Sequence, residues 1–216
     1  MLVRVMVFVL VLCWALVNPC KLPAQNIEQI LNKIQHFYEN IQTIQADFLQ
    51  ETYFPDRNKE IRTGRLWIKK PGKFRWEYKS PEKFLIISDG DNIYIYYPEE
   101  KQAFVYPSGK AISSRLALGF MSGRGNIKED LKLESFKVLN KNFWKVSFLP
   151  AYKDKKVEKI SFVVSPNTGE VKEFTFINST GEKIRIIFNQ IRYNVNLDNK
   201  LFILNFSENI QIINGY

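Results

Sequence analysis

The sequence predicts a mainly β protein of the α+β class, with one long antiparallel sheet and two or three helices. From about residue 44, apolar and polar residues alternate with a period of two, which is the spacing of strands with one buried face. These runs are short and follow one another with turn residues between them, which favours antiparallel hairpins. Before residue 41, apolar residues recur every three or four positions, which indicates an amphipathic helix.

Residues 1–24 are predicted to be a secretory signal peptide, and residues 25–216 a single domain. Arg4 precedes an apolar run that is shorter than a membrane span, and a polar segment follows that run. An uncleaved membrane anchor and a lipid-modified Cys20 are the alternatives that remain open. Cleavage at the end of the segment would remove both cysteines, so the exported chain would have no disulfide and no thiolate metal site.

The N-terminal half is predicted to contain a helix and then a meander of strands. The helix covers residues 26–40, with Asn26 as a possible N-cap. The strands begin at residue 44, and Pro71-Gly72 and the Asp-Gly-Asp-Asn sequence at 89–92 supply two of their turns. Because these strands are consecutive and linked by turns, we expect each to pair with its neighbour in sequence.

The middle and the C-terminal half add short helices and further strands. Residues 111–120 carry an apolar stripe typical of a short helix, and a further helical turn is expected over 127–131. Five alternating runs and a last strand over 201–206 follow. The prediction therefore comprises ten or eleven strands in one domain.

Charge and motif content argue against several classes of function. The chain has 31 basic and 22 acidic residues, and the charges are spread through every strand, so nucleic-acid binding is not expected. The one histidine, His36, lies in the first helix, and the sequence has no HExxH, GxSxG, paired-cysteine or phosphate-loop motif. We therefore predict no enzyme activity, no metal and no cofactor, although serine and carboxylate groups brought together only by the fold remain an open alternative.

The segment GKFRWEY concentrates aromatic residues on one side of a predicted strand. One face carries Phe74, Trp76 and Tyr78, and the other carries Arg75, Glu77 and Lys79. We expect the three charged side chains to face water. Two interpretations of the rings stay open: they fill a packed core, or they line an apolar cavity. The short helix at 111–120, which is inserted between strands and followed by glycines, would suit a movable cover of such a cavity.

One stretch of the sequence resembles a known family. GRLWIKKPGKFRWEYKSPEKFLIISDGDNIYIYYPEEKQ is similar to the signature region of the outer-membrane lipoprotein carrier protein family, LolA. The matching positions are Gly64, Leu66-Trp67, Lys70-Pro71, Phe74-x-Trp76, Pro81, Ile86-Ile87, Ser88-Asp89-Gly90 and Tyr94 to Tyr97. The preceding strand, with Ala46, Phe48 and Gln50, fits the same pattern.

The resemblance implies a fold and a carrier function. The fold would be a strongly curved, incomplete antiparallel β-barrel with an N-terminal helix and short inserted helices as a lid. The protein would work in the periplasm as a monomer without a cofactor. It would take acylated lipoproteins from an inner-membrane ABC transporter complex and deliver them to an outer-membrane acceptor.

The resemblance also implies a set of site residues. The acyl-chain cavity would be lined by Phe48, Leu66, Ile68, Phe74, Trp76, Tyr78, Ile86, Ile93 and Ile95. The lid would contribute Ile112, Leu116 and Phe120. Lys70 stands where the family commonly has an arginine that fastens barrel to lid, and lysine cannot form the same forked pair of hydrogen bonds.

Two alternative functions remain. A protein of the same architecture could carry or sense another lipid or a glycolipid. A structural β-domain without any ligand would carry the same aromatic residues as ordinary core. Lipid that co-purifies with the protein would separate the carriers from the structural domain.

Overall fold

The computed structural model describes residues 24–108, 126–152, 157–205 and 210–215. They form one twelve-stranded sheet, two α-helices and a 3-10 helix. The helices are α1 (Ala24–Asn40), α2 (Ile127–Asp130) and the 3-10 helix (Asn199–Phe202). The strands are β1 (Thr43–Tyr53), β2 (Lys59–Lys69), β3 (Lys73–Ser80), β4 (Phe84–Ser88), β5 (Asn92–Tyr97), β6 (Gln102–Pro107), β7 (Leu131–Val138), β8 (Trp144–Pro150), β9 (Val157–Val164), β10 (Val171–Asn178), β11 (Lys183–Tyr193) and β12 (Gln211–Asn214).

The strands lie in the order β12-β6-β5-β4-β3-β2-β1-β11-β10-β9-β8-β7. Strands β1 to β6 form one antiparallel meander, β7 to β11 form another, and the antiparallel pair β1–β11 joins the two. At this join Ile44 pairs with Tyr193, and the register shifts next to Gln190, which has a φ of +49°. The result is one open, curved sheet, as the sequence predicted.

The core lies on one face of this sheet, which we call the inner face. A single cluster of buried apolar side chains joins ten of the strands with α1 and α2. Sheets of more than about ten twisted strands tend to curl, and curling brings such a face around the helix that covers it.

Helix α1 covers part of the inner face with its apolar side. The helix begins at Ala24, two residues before the predicted cap at Asn26, and its buried residues recur every three or four positions as expected: Ile27, Ile30, Ile34 and Tyr38. Its backbone packs closely on the turn between β9 and β10. A Cβ on Gly169 would lie 2.5 Å from the Lys33 carbonyl oxygen, so this turn requires glycine for space as well as for its φ of +84°.

The C-terminal part corrects the prediction of a last strand over 201–206. The described part of this segment is a 3-10 helix and coil, capped where Asp198 accepts a hydrogen bond from the Lys200 amide. Other side chains take up its carbonyls: Lys69 Nζ donates to Leu197 at 2.7 Å and Arg75 Nη1 donates to Leu201 at 3.5 Å. These side chains bind the segment in place of a strand ladder. Since Lys69 and Arg75 lie on the outer face of β2 and β3, the segment crosses that face, and we call it the C-terminal strap.

Strand β12 is the second departure from the prediction. It pairs with β6 in the parallel direction, with Ile212 opposite Ala103, so the sheet is not antiparallel throughout. The predicted turn of helix over 127–131 is confirmed as α2. The predicted leader, except for its last residue, and the predicted helix over 111–120 lie outside the described residues. In the part of the chain that the structure describes, no helix is long and apolar enough to cross a membrane.

Candidate functional site

The inner face of β1 to β5 holds all nine residues that were predicted to line the cavity. Seven are buried: Phe48, Leu66, Ile68, Phe74, Trp76, Tyr78 and Ile93. Ile86 and Ile95 are half-buried and pack against the same cluster. Their contact with cargo stays a prediction, but the structure brings them to one continuous surface.

The register of the strands explains why these residues meet. Leu66, Trp76, Ile86 and Ile95 stand directly opposite one another on β2, β3, β4 and β5, so their side chains form one row across the sheet. Side chains on directly paired positions approach to about 5 Å. The alternation along β3 then places Phe74 and Tyr78 in the rows on either side of Trp76.

Aromatic side chains on this face form what we call the aromatic wall: Phe48, Phe74, Trp76, Tyr78, Phe84 and Tyr97. The Phe48 ring meets the Trp76 and Tyr78 rings edge-on, each at a centroid distance of 5.1 Å. Tyr78 stacks on Phe84 at 4.0 Å, and Phe84 stacks on Tyr97 at 5.4 Å. The sequence prediction missed Phe84 and Tyr97, although continuing the same alternation along β4 and β5 would have found them.

Gly64 makes room for the aromatic wall. It lies on β2 between Phe48 of β1 and Tyr78 of β3. A Cβ at this position would lie 2.0 Å from the Glu77 carbonyl oxygen and 2.7 Å from Cζ of Phe48. The glycine of the motif therefore provides space for a ring and a neighbouring strand rather than backbone flexibility.

The wall ends in a polar rim at the Tyr78 side, formed by Gln50, Thr52, Glu60 and Arg62. The Tyr78 hydroxyl donates to Gln50 Oε1 at 2.8 Å, and burial raises the pKa of Tyr78. Arg62 pairs with Glu60 at 2.7 Å, and its guanidinium lies 5.3 Å from the centroid of the Phe84 ring. This rim provides hydrogen-bonding groups and charge at one end of a largely apolar surface.

Trp76 is the exception to this pattern of satisfied polar groups. Its indole Nε1 is buried and has no hydrogen-bond partner among the described residues. The side chain is 5% exposed and lies in the central row of the face. The site therefore contains one unused donor within an apolar surface.

The outer face of β3 carries the three charged residues, as predicted, but only Lys79 is fully exposed. Arg75 and Glu77 are half-buried; Arg75 Nε donates to Glu77 Oε2 at 3.2 Å. The C-terminal strap reaches Arg75 through the Leu201 carbonyl. The expectation that this face is simply solvated is therefore wrong at these two residues.

Lys70 binds helix α1. Its amine donates to the carbonyl oxygen of Tyr38, and its backbone amide donates to the Gln42 carbonyl at 2.9 Å. Burial lowers the pKa of the Lys70 amine, an effect that the nearby Glu39 opposes. The β2–β3 turn is thus fastened to the C-terminal turn of α1, whereas the predicted lid residues Ile112, Leu116 and Phe120 lie outside the described residues.

The described surface includes two pockets that no ring of the aromatic wall lines. One, of about 150 Å³, lies at the join of β1 and β11 beside Asp47, Arg65 and Gln190. The other, of about 540 Å³, lies beside α1, next to His36 and Tyr193. Within 24–108, 126–152, 157–205 and 210–215, no three His, Cys, Asp or Glu side chains are grouped in a way that could hold a metal ion.

The fold and the inner face define a class: an open, curved half-barrel with a broad apolar face and a covering helix. The chain belongs to the outer membrane lipoprotein carrier protein LolA family, whose sequence model matches residues 39–205. This match includes the whole aromatic wall, Gly64 and Lys70.

Two relatives and one solved structure illustrate the match. The outer-membrane lipoprotein carrier protein of Nitrosomonas europaea is 28% identical over 211 residues, which cover 96% of this chain and 98% of the relative. That of Chromobacterium violaceum is 29% identical over 183 residues, which cover 85% of this chain and 86% of the relative. The crystal structure of an uncharacterized conserved protein from Thermus thermophilus shares the fold, with a TM-score of 0.56, 14% identity, and coverage of 88% of this chain and 100% of that one. At the level of the family, these matches support a lipoprotein-carrier role.

Proposed function

We propose that this protein is a periplasmic chaperone that holds the acyl chains of lipoproteins against its inner face. It receives them from an inner-membrane ABC transporter complex and delivers them to an acceptor at the outer membrane. The observation that carries the proposal is the continuous apolar surface of β1 to β5, which lies inside the region that matches a family of lipoprotein carriers. The residues that contact the chains are the nine predicted lining residues from Phe48 to Ile95.

The need for such a surface follows from the cost of moving acyl chains through water. Burying one methylene group is worth about 0.8 kcal/mol. Moving an unprotected acyl chain of about 16 carbons from a membrane into water therefore costs on the order of 12 kcal/mol. A carrier must offset most of that cost and still release its cargo. Flat rings and branched aliphatic side chains suit this task, because they cover a chain without fixing a single pose.

Loading requires the inner face to open. Phe74 and Trp76 are 3% and 5% exposed, so a chain reaches them only when whatever covers them moves away. Contacts between the rings are then replaced by contacts between the rings and the acyl chain. Because a closed, self-packed face competes with cargo, a second protein can drive loading by stabilising the open state.

We propose that α1 is part of what shields these rings and that Lys70 holds the C-terminal end of α1 in place. The Lys70 amine and backbone amide both bind carbonyls at the C-terminal end of α1 and just after it. For the helix to shift at that end, these contacts must break together with the hydrogen bond from the Val171 amide to the Tyr38 hydroxyl and the packing of the buried Tyr38 ring. The residues 111–120 are proposed to form the rest of the lid.

The test is capture of a lipoprotein from inner-membrane preparations that contain the transporter complex. The protein is expressed from its full sequence and recovered from the periplasmic fraction, a step that also tests its export. Wild type should release the lipoprotein in soluble form. Trp76→Asp should release at least about tenfold less lipoprotein, because the cost of desolvating a carboxylate opposes binding at the centre of the wall.

Trp67→Asp is the matched control. Trp67 lies on the same strand pair but on the outer face, where Arg65 lies over its ring at 5.8 Å. This variant should release lipoprotein like wild type. Circular dichroism must show an intact sheet in both variants, and Trp76→Leu is used if the aspartate variant does not fold.

Three outcomes would overturn the proposal. Full capture by Trp76→Asp would show that the wall does not contact cargo. Co-purified lipid without any lipoprotein release would identify a carrier of another lipid or of a glycolipid. No bound lipid and no release would make the rings an ordinary core.

A further inference from the structure

Among the residues that the structure describes, none pairs with the buried donor on Trp76. A buried donor without an acceptor destabilises a fold, whereas phenylalanine would fill a similar space without that cost. The indole N–H can only donate, so no rotation of the group removes the problem. By contrast, the neighbouring Tyr78 hydroxyl has found an acceptor on Gln50.

The surroundings of Trp76 offer little to its N–H. Leu66 and Ile86 stand opposite it on the two flanking strands, and both are aliphatic. Among the described residues, the Phe48 ring meets the indole at a centroid distance of 5.1 Å and an angle of 63°. The π-face of such a ring is at best a weak acceptor. No described residue supplies a strong acceptor for this group, which leaves the N–H available to a molecule that enters the site.

The chemistry of the site selects the kind of acceptor. A carboxylate or phosphate would bring a charge into an apolar row with no cation in it, and Arg62 lies outside that row, in the rim. An amide or a hydroxyl would bring its own hydrogen, which would need a further acceptor. An ester carbonyl brings an acceptor only, and it is joined directly to an acyl chain.

We propose that Trp76 Nε1–H donates a hydrogen bond to the carbonyl oxygen of an ester that links an acyl chain to the glycerol unit of the cargo. The inference rests on the proposed function, because it needs acyl chains on the inner face. It adds a polar anchor point to a site that is otherwise apolar. The ligand class is therefore an ester-linked diacylglyceryl lipid.

This anchor also orients the cargo. Tyr78, whose hydroxyl belongs to the rim network, lies two residues along β3 from Trp76, which is about 7 Å in a strand. Phe74 lies two residues in the other direction. With the ester at Trp76, the glycerol side faces the rim and the hydrocarbon continues over Phe74 and Ile68.

The experiment compares two lipids that differ only in the carbonyl group. Dioctanoylglycerol carries the ester and 1,2-di-O-octylglycerol carries an ether instead. Wild type should bind the ester about five- to tenfold more tightly than the ether. Trp76→Phe should bind both with the affinity that wild type has for the ether, and Trp67→Phe should keep the preference.

A spectroscopic reading avoids dependence on any variant. In the protein labelled with ¹⁵N, the indole proton of Trp76 should move downfield when the ester binds and remain near its free position when the ether binds. Equal affinities together with an unmoved indole signal would overturn the anchor but leave the apolar site intact, because both lipids still bind. Binding of neither lipid would overturn the anchor and the proposed acyl-chain site together.

Discussion

Replacing Gly64 by alanine should destabilise the sheet through lack of space. The new Cβ would lie 2.0 Å from the Glu77 carbonyl oxygen and 2.7 Å from the Phe48 ring. Overpacking commonly costs about 1–3 kcal/mol, and a backbone atom of the neighbouring strand cannot rotate away, so we expect about 3 kcal/mol. In a domain of this size, that loss lowers Tm by roughly 6–12 °C.

Thermal unfolding followed by circular dichroism measures this loss, and two variants separate its sources. Thr63→Ala changes the next residue of β2, which faces outward, and should change Tm by much less. Measured against Phe48→Leu alone, adding Gly64→Ala should cost less than it does in wild type but should still cost stability, because the leucine relieves the contact with the ring but not the one with the Glu77 carbonyl. If Gly64→Ala unfolds within about 2 °C of wild type, the strands relax freely and the spatial argument is wrong.

Two further predictions concern the charged groups around the sheet. Hydrogen bonds from Lys59 and Arg185, at 2.6 Å and 2.9 Å, hold the pKa of Glu51 at about 2, below its ordinary value of 4.5. The resulting stability is present above pH 5 and is lost as the pH falls toward 2, so the difference in Tm between wild type and Glu51→Gln should shrink over that range; a constant difference would contradict this. Lys70→Met should remove the charged hydrogen bond to the Tyr38 carbonyl, cost about 1–3 kcal/mol and speed hydrogen exchange in the last turn of α1, whereas Lys70→Arg should preserve slow exchange. Exchange in Lys70→Met as slow as in wild type would show that the helix does not depend on this contact.

Local pattern was sufficient to predict most of the sheet and its inner face. The alternation of Phe74, Trp76 and Tyr78 placed all three on the buried side, since the period of two fixes the face once one residue is known to be inside. The same rule accounts for Leu66 and Ile68 on β2.

The departures arise where contacts between distant parts of the chain override local pattern. The apolar run near residue 201 suggested a strand, but Lys69 and Arg75 hold its carbonyls and Asp198 caps a 3-10 turn there. Strand β12 has only four residues, too few for a clear alternation, and its parallel pairing depends on the free edge of β6. The unpaired Trp76 nitrogen could not be predicted, because it depends on which neighbours the fold brings to the indole.

The join between β1 and β11 has a consequence for how the sheet assembles. Within each meander every strand pairs with its neighbour in sequence, so either half can form early from local contacts. The pair of Ile44 with Tyr193 links residues 149 positions apart and can form only once both halves are in place. Folding should thus end with the docking of two preformed sheets, and only that final step brings the buried side chains of the second meander to the apolar surface of β1 to β5.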